Sequence, residues 1–154
     1  MKENVERFVV FKLDDRSFAL PLRQVLRVIR AVDVTPLPGA PECVSGIIHW
    51  EEQVLPVFDP RVRFRFPQKE LDPDDQMILA RTVSRKVILV VDEVQDILER
   101  TKERITPSRD ILPGLELLEG TIRLDEGLIL IHDLERFLSL DEDSRLKQAL
   151  GEPP

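Results

Sequence analysis

Arg16-Ser17-Phe18-Ala19-Leu20-Pro21-Leu22-Arg23-Gln24-Val25-Leu26-Arg27-Val28 decides the fold, because Arg85-Lys86-Val87-Ile88-Leu89-Val90-Val91-Asp92-Glu93-Val94-Gln95-Asp96-Ile97 repeats its pattern 69 residues later. At that offset Arg16 falls on Arg85, Phe18 on Val87, Val25 on Val94 and Val28 on Ile97. At an offset of 74, Gly46-Ile47-Ile48 falls on Gly120-Thr121-Ile122, Glu51-Glu52 on Asp125-Glu126, Val57 on Ile131 and Asp59 on Asp133. Like residues at a fixed spacing mark a duplicated unit. Five short strands per copy, closing into a small barrel, would bury one face of each sheet and hide its edges.

Working outward, Arg7 to Leu13 and Ser17 to Leu20 read as a hairpin around Asp14-Asp15-Arg16, and Val25 to Ile29 alternates as a third strand. Pro21, Pro36, Pro38 and Pro41 exclude a long helix before Pro41, and Glu42 to Ser45 can make one helical turn. Gly46 to Trp50 and Gln53 to Phe58 form a second hairpin, and the acidic run Glu70 to Asp75 with Pro73 inside it is a solvated linker. Strands resume at Met77 to Val83, Lys86 to Val91, Val94 to Leu98, Gly120 to Leu124 and Leu128 to Ile131. Leu134, Phe137, Leu138, Leu146 and Leu150 have helical spacing, with an interruption expected at Asp141-Glu142-Asp143. The expected fold is mostly β, with lobes over 8–69 and 76–140 and a helical or disordered tail over 141–154.

The 154 residues are 42% hydrophobic, and no apolar run approaches the ~18 residues of a membrane helix. A chain this long buries roughly 70% of its unfolded surface, enough for a real core. Met1-Lys2-Glu3-Asn4 carries no apolar signal segment, and the single Cys43 has no disulfide partner within the chain, so the reducing cytosol is the expected compartment. Cys43 itself reads as a small core residue. With a net charge of −7 and no block of Lys or Arg able to track a phosphate backbone, no nucleic acid is expected as a partner. Arg61-Val62-Arg63-Phe64-Arg65-Phe66 alternates, which if extended gives a solvated arginine face beside a buried one.

Phe8 to Leu13, Phe18-Ala19-Leu20, Val25-x-x-Val28, Pro38-x-x-Pro41, Gly46-Ile47-Ile48 and Val54-Leu55-Pro56-Val57-Phe58-Asp59 resemble the first half of CheW-like domains. Val87 to Asp92, Val94, Ile105-x-Pro107, Gly120 and Leu128 to Leu134 resemble the second half. The resemblance covers about residues 8 to 140. It implies a single CheW-like domain of two SH3-like five-stranded β-barrel lobes. It also implies a non-catalytic, cofactor-free cytoplasmic adaptor, recruited to membrane receptor arrays, that couples chemoreceptor cytoplasmic tips to the regulatory domain of a CheA-type histidine kinase. Carried over residue by residue, the resemblance makes Val25, Arg27 and Val28, with the hairpin from Ile48 through Trp50 and Glu51 to Val54, the candidates for the edge of the receptor groove.

Two departures fall on that edge. His49-Trp50-Glu51-Glu52 stands where the family usually has Asn-Leu-Arg-Gly, which removes a Gly suited to positive φ and predicts a turn of different shape. Arg27 stands where the family often has Glu, so Arg27 and Glu51 are expected to form the same ion pair with reversed polarity. Such a reversal would act on partner choice, and an alternative role follows: a CheW-like binding module in a non-standard pathway that does not bind ordinary chemoreceptors. Trp50 is a candidate interface anchor.

An enzyme is the rival class, with His49, His132, Asp59, Asp92 and Asp133 as its candidate groups. Neighbouring His132 and Asp133 on a strand end point to opposite faces, and the repeat equivalents Asp59 and Asp133 suit a shared capping role. The sequence holds no metal-spaced His/Cys cluster, phosphate loop or nucleophile elbow. Both histidines read as surface or hydrogen-bonded structural residues.

Overall fold

The computed structural model describes residues 4–107, 118–125 and 127–152. Among them are eleven strands: β1 (Val5–Leu13), β2 (Arg16–Pro21), β3 (Val25–Arg30), β4 (Val44–Trp50), β5 (Gln53–Phe58), β6 (Gln76–Arg81), β7 (Lys86–Val91), β8 (Glu93–Thr101), β9 (Ile105–Pro107), β10 (Leu118–Leu124) and β11 (Gly127–His132). Two α-helices join them, α1 (Pro60–Arg63) and α2 (Leu140–Leu150). Each strand expected from the sequence is present. The short β9 is added to them.

The strands form a six-stranded sheet, β8-β1-β2-β11-β10-β9, and a five-stranded sheet, β3-β6-β7-β5-β4. Each sheet mixes strands from both sequence repeats, so the sheets do not follow the halves 8–69 and 76–140. The chain crosses from one sheet to the other twice, through a 3-10 turn at Leu22–Gln24 and again at Asp92. Pro21 has no N–H to extend the β2 ladder, which favours departure there.

The registers carry the duplication. Antiparallel β1/β2 aligns Val10 with Ala19, and β6/β7 aligns their counterparts Leu79 and Ile88. The parallel pair β2/β11 sets Ala19 beside Ile131, and β7/β5 sets Ile88 beside Val57. Even irregularities recur: β3 slips against β6 between Val25 and Arg27, as β8 slips against β1 between Phe11 and Val9. Neither sheet closes, since among the described residues no ladder joins β8 to β9 or β3 to β4.

A central apolar cluster lies between the sheets and includes Phe11, Phe18, Phe58, Leu89, Phe137 and Leu146. Phe58 and Phe137 stack there with ring centroids 4.5 Å apart. A smaller cluster fills each sheet's own concavity, around Phe8, Val10 and Ile122 in one and Ile48, Met77 and Ile88 in the other.

Three local expectations are corrected. Asp141-Glu142-Asp143 does not interrupt the last helix but forms the first turn of α2, where carboxylates favour the positive end of the helix dipole. Ser139 and Glu142 close a capping box, and the break falls before it, after a 3-10 turn at Leu134–Arg136. Glu42 and Cys43 form a turn rather than a helical turn. Arg61 to Arg63 lies in α1 instead of an extended segment, because Asp59 caps it and Pro60 occupies its first position. The tail beyond residue 141 is helical as far as Leu150, with Leu146 fully buried.

Gly46 and Gly120 occupy equivalent slips in β4 and β10. A Cβ on Gly46 would lie 2.1 Å from the Thr35 carbonyl oxygen, and one on Gly120 2.4 Å from that of Thr106. Gly46→Ala and Gly120→Ala are each expected to lose about 3 kcal/mol in urea denaturation, because the contacting atoms are backbone and cannot rotate away. A loss at only one of the two would break the equivalence.

Candidate functional surface

The β4–β5 hairpin closes in two residues, with Trp50 paired to Gln53. Glu51 and Glu52 hold φ of 46° and 67°, the left-handed pair that a tight primed turn requires. The missing Gly therefore shows as strain, of order 1–2 kcal/mol per residue, and the hairpin stays tight. The expected Arg27–Glu51 ion pair does not form. The Arg27 guanidinium instead lies over the Trp50 indole, 5.6 Å from the ring centroid. Arg27 is on β3 and Trp50 on β4, the two end strands of the five-stranded sheet, so that sheet curls until its edges meet through side chains.

The other candidate residues divide. Ile48 is 4% exposed inside the curl, and Val25 and Val28 are half-buried against the central cluster. Glu51 and Val54 are exposed, Val54 by 45%. Of the expected edge, Arg27 over Trp50 with Glu51 and Val54 is thus what faces solvent, while Ile48 packs inside the sheet and Val25 and Val28 pack on the central cluster.

Sequence reasoning missed a charge cluster at the second crossing. Arg61, only 5% exposed, is held by Asp14 at 2.9 Å, by both Asp92 carboxylate oxygens at 2.7 and 2.6 Å, and by the Pro67 carbonyl at 3.1 Å. Asp92 also accepts the Asp14 backbone N–H at 2.7 Å. This ties the β1–β2 turn to the crossing strand, and it corrects the expectation of a solvated arginine face. Arg63 likewise pairs with Glu142 of α2 and donates to the Cys43 sulfur at 3.1 Å. Burial pushes the Cys43 thiol up, against the pull of Arg63. No local motif announces these pairs, whose partners lie far apart in sequence.

Asp59 and Asp133 cap equivalent turns, accepting from Arg61 N–H at 2.9 Å and Glu135 N–H at 3.1 Å. His49 is exposed on β4. His132 departs from expectation: it is fully buried among Phe64 and Phe137, and neither ring nitrogen has a hydrogen-bond partner. Among the described residues no group of three or more His, Cys, Asp or Glu is placed to hold a metal. No helix among them is long and apolar enough to cross a membrane.

The family model described as CheW-like domain matches residues 7–142. The chain belongs to the CheW-like domain family. It is similar to chemotaxis protein CheW of Klebsiella aerogenes, 27% identical over 139 residues, covering 89% of this chain and 84% of that one. It is 30% identical over 146 residues to a probable chemotaxis protein CheW of Rhizobium etli, covering 92% and 93%. The crystal structure of scaffolding protein TtCheW from Thermoanaerobacter tengcongensis superposes with a TM-score of 0.81 at 25% identity, covering 89% and 94%. CheW-like proteins are chemotaxis coupling adaptors without enzymatic activity, and that is the class of this chain.

Two outcomes follow for this CheW-like surface and its support. Trp50 is the sole tryptophan, so its emission reports the stacking directly. Arg27→Ala is expected to shift that emission and to lose about 0.5–1 kcal/mol, the range of an exposed cation–π contact. An unchanged spectrum would place Arg27 away from the ring in solution. His132 has its pKa lowered by burial from 6.5 to about 3. The unfolded chain therefore takes up a proton near pH 6.5 that the folded chain refuses until about pH 3, and stability falls as pH drops through that window. His132→Phe, which installs the residue type of its repeat counterpart Phe58, should flatten this acid slope and add about 1 kcal/mol at neutral pH by removing unpaired buried polar atoms. Calorimetric melts from pH 7 to pH 4 check both.

Proposed function

We propose that this chain is a cytoplasmic adaptor recruited to membrane receptor arrays, where it couples chemoreceptor tips to the regulatory domain of a CheA-type histidine kinase. The observation that carries this reading is the match to CheW-like domains over residues 7–142, joined to the same architecture in a protein solved as a scaffold. Each curled sheet with its own apolar filling is read as an SH3-like barrel lobe, and the crosswise strand exchange makes the pair one rigid domain. A rigid body that presents two partners at a fixed spacing needs no reactive group. Affinity would come from apolar anchors under a polar rim.

A second reading, a CheW-like module that rejects ordinary receptor tips, draws on one feature. Arg27 lies over Trp50 where the family's pattern has Glu, so a tip complementary to a carboxylate would meet a cation.

Isothermal titration calorimetry of the full chain against the purified regulatory domain of a kinase from the same source should show saturable binding. Silence against every cognate kinase would remove the first reading. Titration with a soluble receptor-tip fragment separates the two. If polarity selects the partner, Arg27→Glu should strengthen tip binding about tenfold, while binding to the kinase domain stays constant.

A further inference from the structure

Residues 139–152 are joined to the protein differently from any strand. Among the described residues, every backbone hydrogen bond of this segment stays within it: the α2 ladder, its capping box, and the closing bonds from the Gly151 and Glu152 N–H groups to the Gln148 and Lys147 carbonyls. Side chains alone attach it. Leu146 is the one fully buried residue of α2 and enters the central cluster, with Leu150 partly buried against the same cluster. Ala149 lies over the turn at Gly39, 4.0 Å from where a Cβ there would stand.

The rest of the attachment is charge. Arg63 of α1 holds Glu142 in the first turn of α2, and Arg85, in the β6–β7 turn, holds both Glu152 oxygens at 3.0 and 2.9 Å with Asp143 at 3.9 Å. Neither arginine is fully satisfied in this arrangement, because the Nε of each is buried and has no hydrogen-bond partner. A buried donor without an acceptor favours whichever state lets water reach it. Closure of α2 thus sets an ionic gain against a desolvation cost on the same two side chains. An eleven-residue helix does not persist alone in water, so release means that α2 unfolds locally. A segment with one buried anchor and no backbone tie opens at a lower free energy than strands paired on both sides.

We propose that α2 is a releasable strap, which opens as a unit while both sheets stay folded and closes over Cys43. That thiol is 1% exposed and donates to Glu142 at 3.7 Å. Release bares the sole thiol and the side of the central cluster that Leu146 fills. Ionic strength, or loss of charge at Glu142 or Glu152, sets how often it happens. The strap shares no residue with the Arg27–Trp50 surface and is independent of the adaptor reading.

Cys43 is the only cysteine, so its reaction with 4,4′-dithiodipyridine counts the openings. The Cys43 thiolate attacks one sulfur, a mixed disulfide forms and thiopyridone leaves. This reagent is neutral, so salt acts on the strap and not on its approach to a chain at −7. In the full chain, labelling should be slower than that of a free thiol and nearly constant in urea below the unfolding transition reported by Trp50 emission. It should rise about threefold from ~0.05 to ~0.5 M sodium chloride. Glu152→Gln, at the exposed end of the strap, should speed it about threefold without moving the Trp50 transition. Leu146→Ala should speed it at least about thirtyfold, still with little dependence on low urea. Labelling that follows the Trp50 transition across urea would overturn the strap, since α2 would then leave only with the sheets. Labelling as fast as a free thiol, or insensitive to both salt and Glu152→Gln, would overturn it equally.

Discussion

Two parallel strand contacts hold the molecule together, Ala19 beside Ile131 and Ile88 beside Val57. Parallel neighbours cannot be joined by a tight turn and must come from distant chain. Here the distance is the span between the repeats, so neither sheet exists until strands from both halves have arrived. The two sheets consequently stand or fall together. Loop-closure entropy must be met before any of these contacts forms, which puts the fold among slow, non-local β topologies.

The electrostatic and aromatic features gather where this crossing needs them. Arg61 reaches the β1–β2 turn at Asp14 and the crossing residue Asp92, so one guanidinium ties strands that belong to different sheets. Removing it would leave Asp14 and Asp92 facing each other without their cation, a loss softened because both carboxylates still reach water. Arg63 does the same for the end of the chain by holding Glu142, so that α2 covers Cys43 and buries Leu146 in the central cluster. His132 is the counter-example. It occupies the place of Phe58 in the second repeat and is packed by rings, yet its nitrogens find nothing. Packing won there over polar satisfaction.

Period-two runs bounded by Gly, Pro and acidic turns made the strands readable, because that pattern is local. The repeat made their equivalence readable, and the caps at Asp59 and Asp133 followed from it. The crosswise partition of strands was not readable, since offsets of 69 and 74 state which residues are alike and not which ones pair. The helix break was misplaced for a physical reason: Asp141-Glu142-Asp143 opposes a helix interior and favours a helix start, and only the Ser139 cap decides between them. At the candidate surface, charge alone pairs Arg27 with Glu51, whereas the structure sets it over the Trp50 ring. An exposed carboxylate at Glu51 competes poorly with the flat, half-buried face of Trp50, where the guanidinium stacks without losing its water on the other side.

Duplication also leaves two like backbones that carry unlike side chains. The repeat equates Arg27 with Asp96 and, in the second hairpin, Trp50 with Leu124. The first copy thus carries a cation over an indole where the second has a carboxylate on β8 and an aliphatic residue on β10, on strands β3 and β8 that slip at the same place. Val28 packs against the central cluster, whereas its equivalent Ile97 is 60% exposed. Paired backbones keep the two surfaces at a fixed separation, and side chains alone make them unlike. The two copies therefore present unlike charge and shape on like backbones, which is the kind of difference by which one folded unit can discriminate between partners.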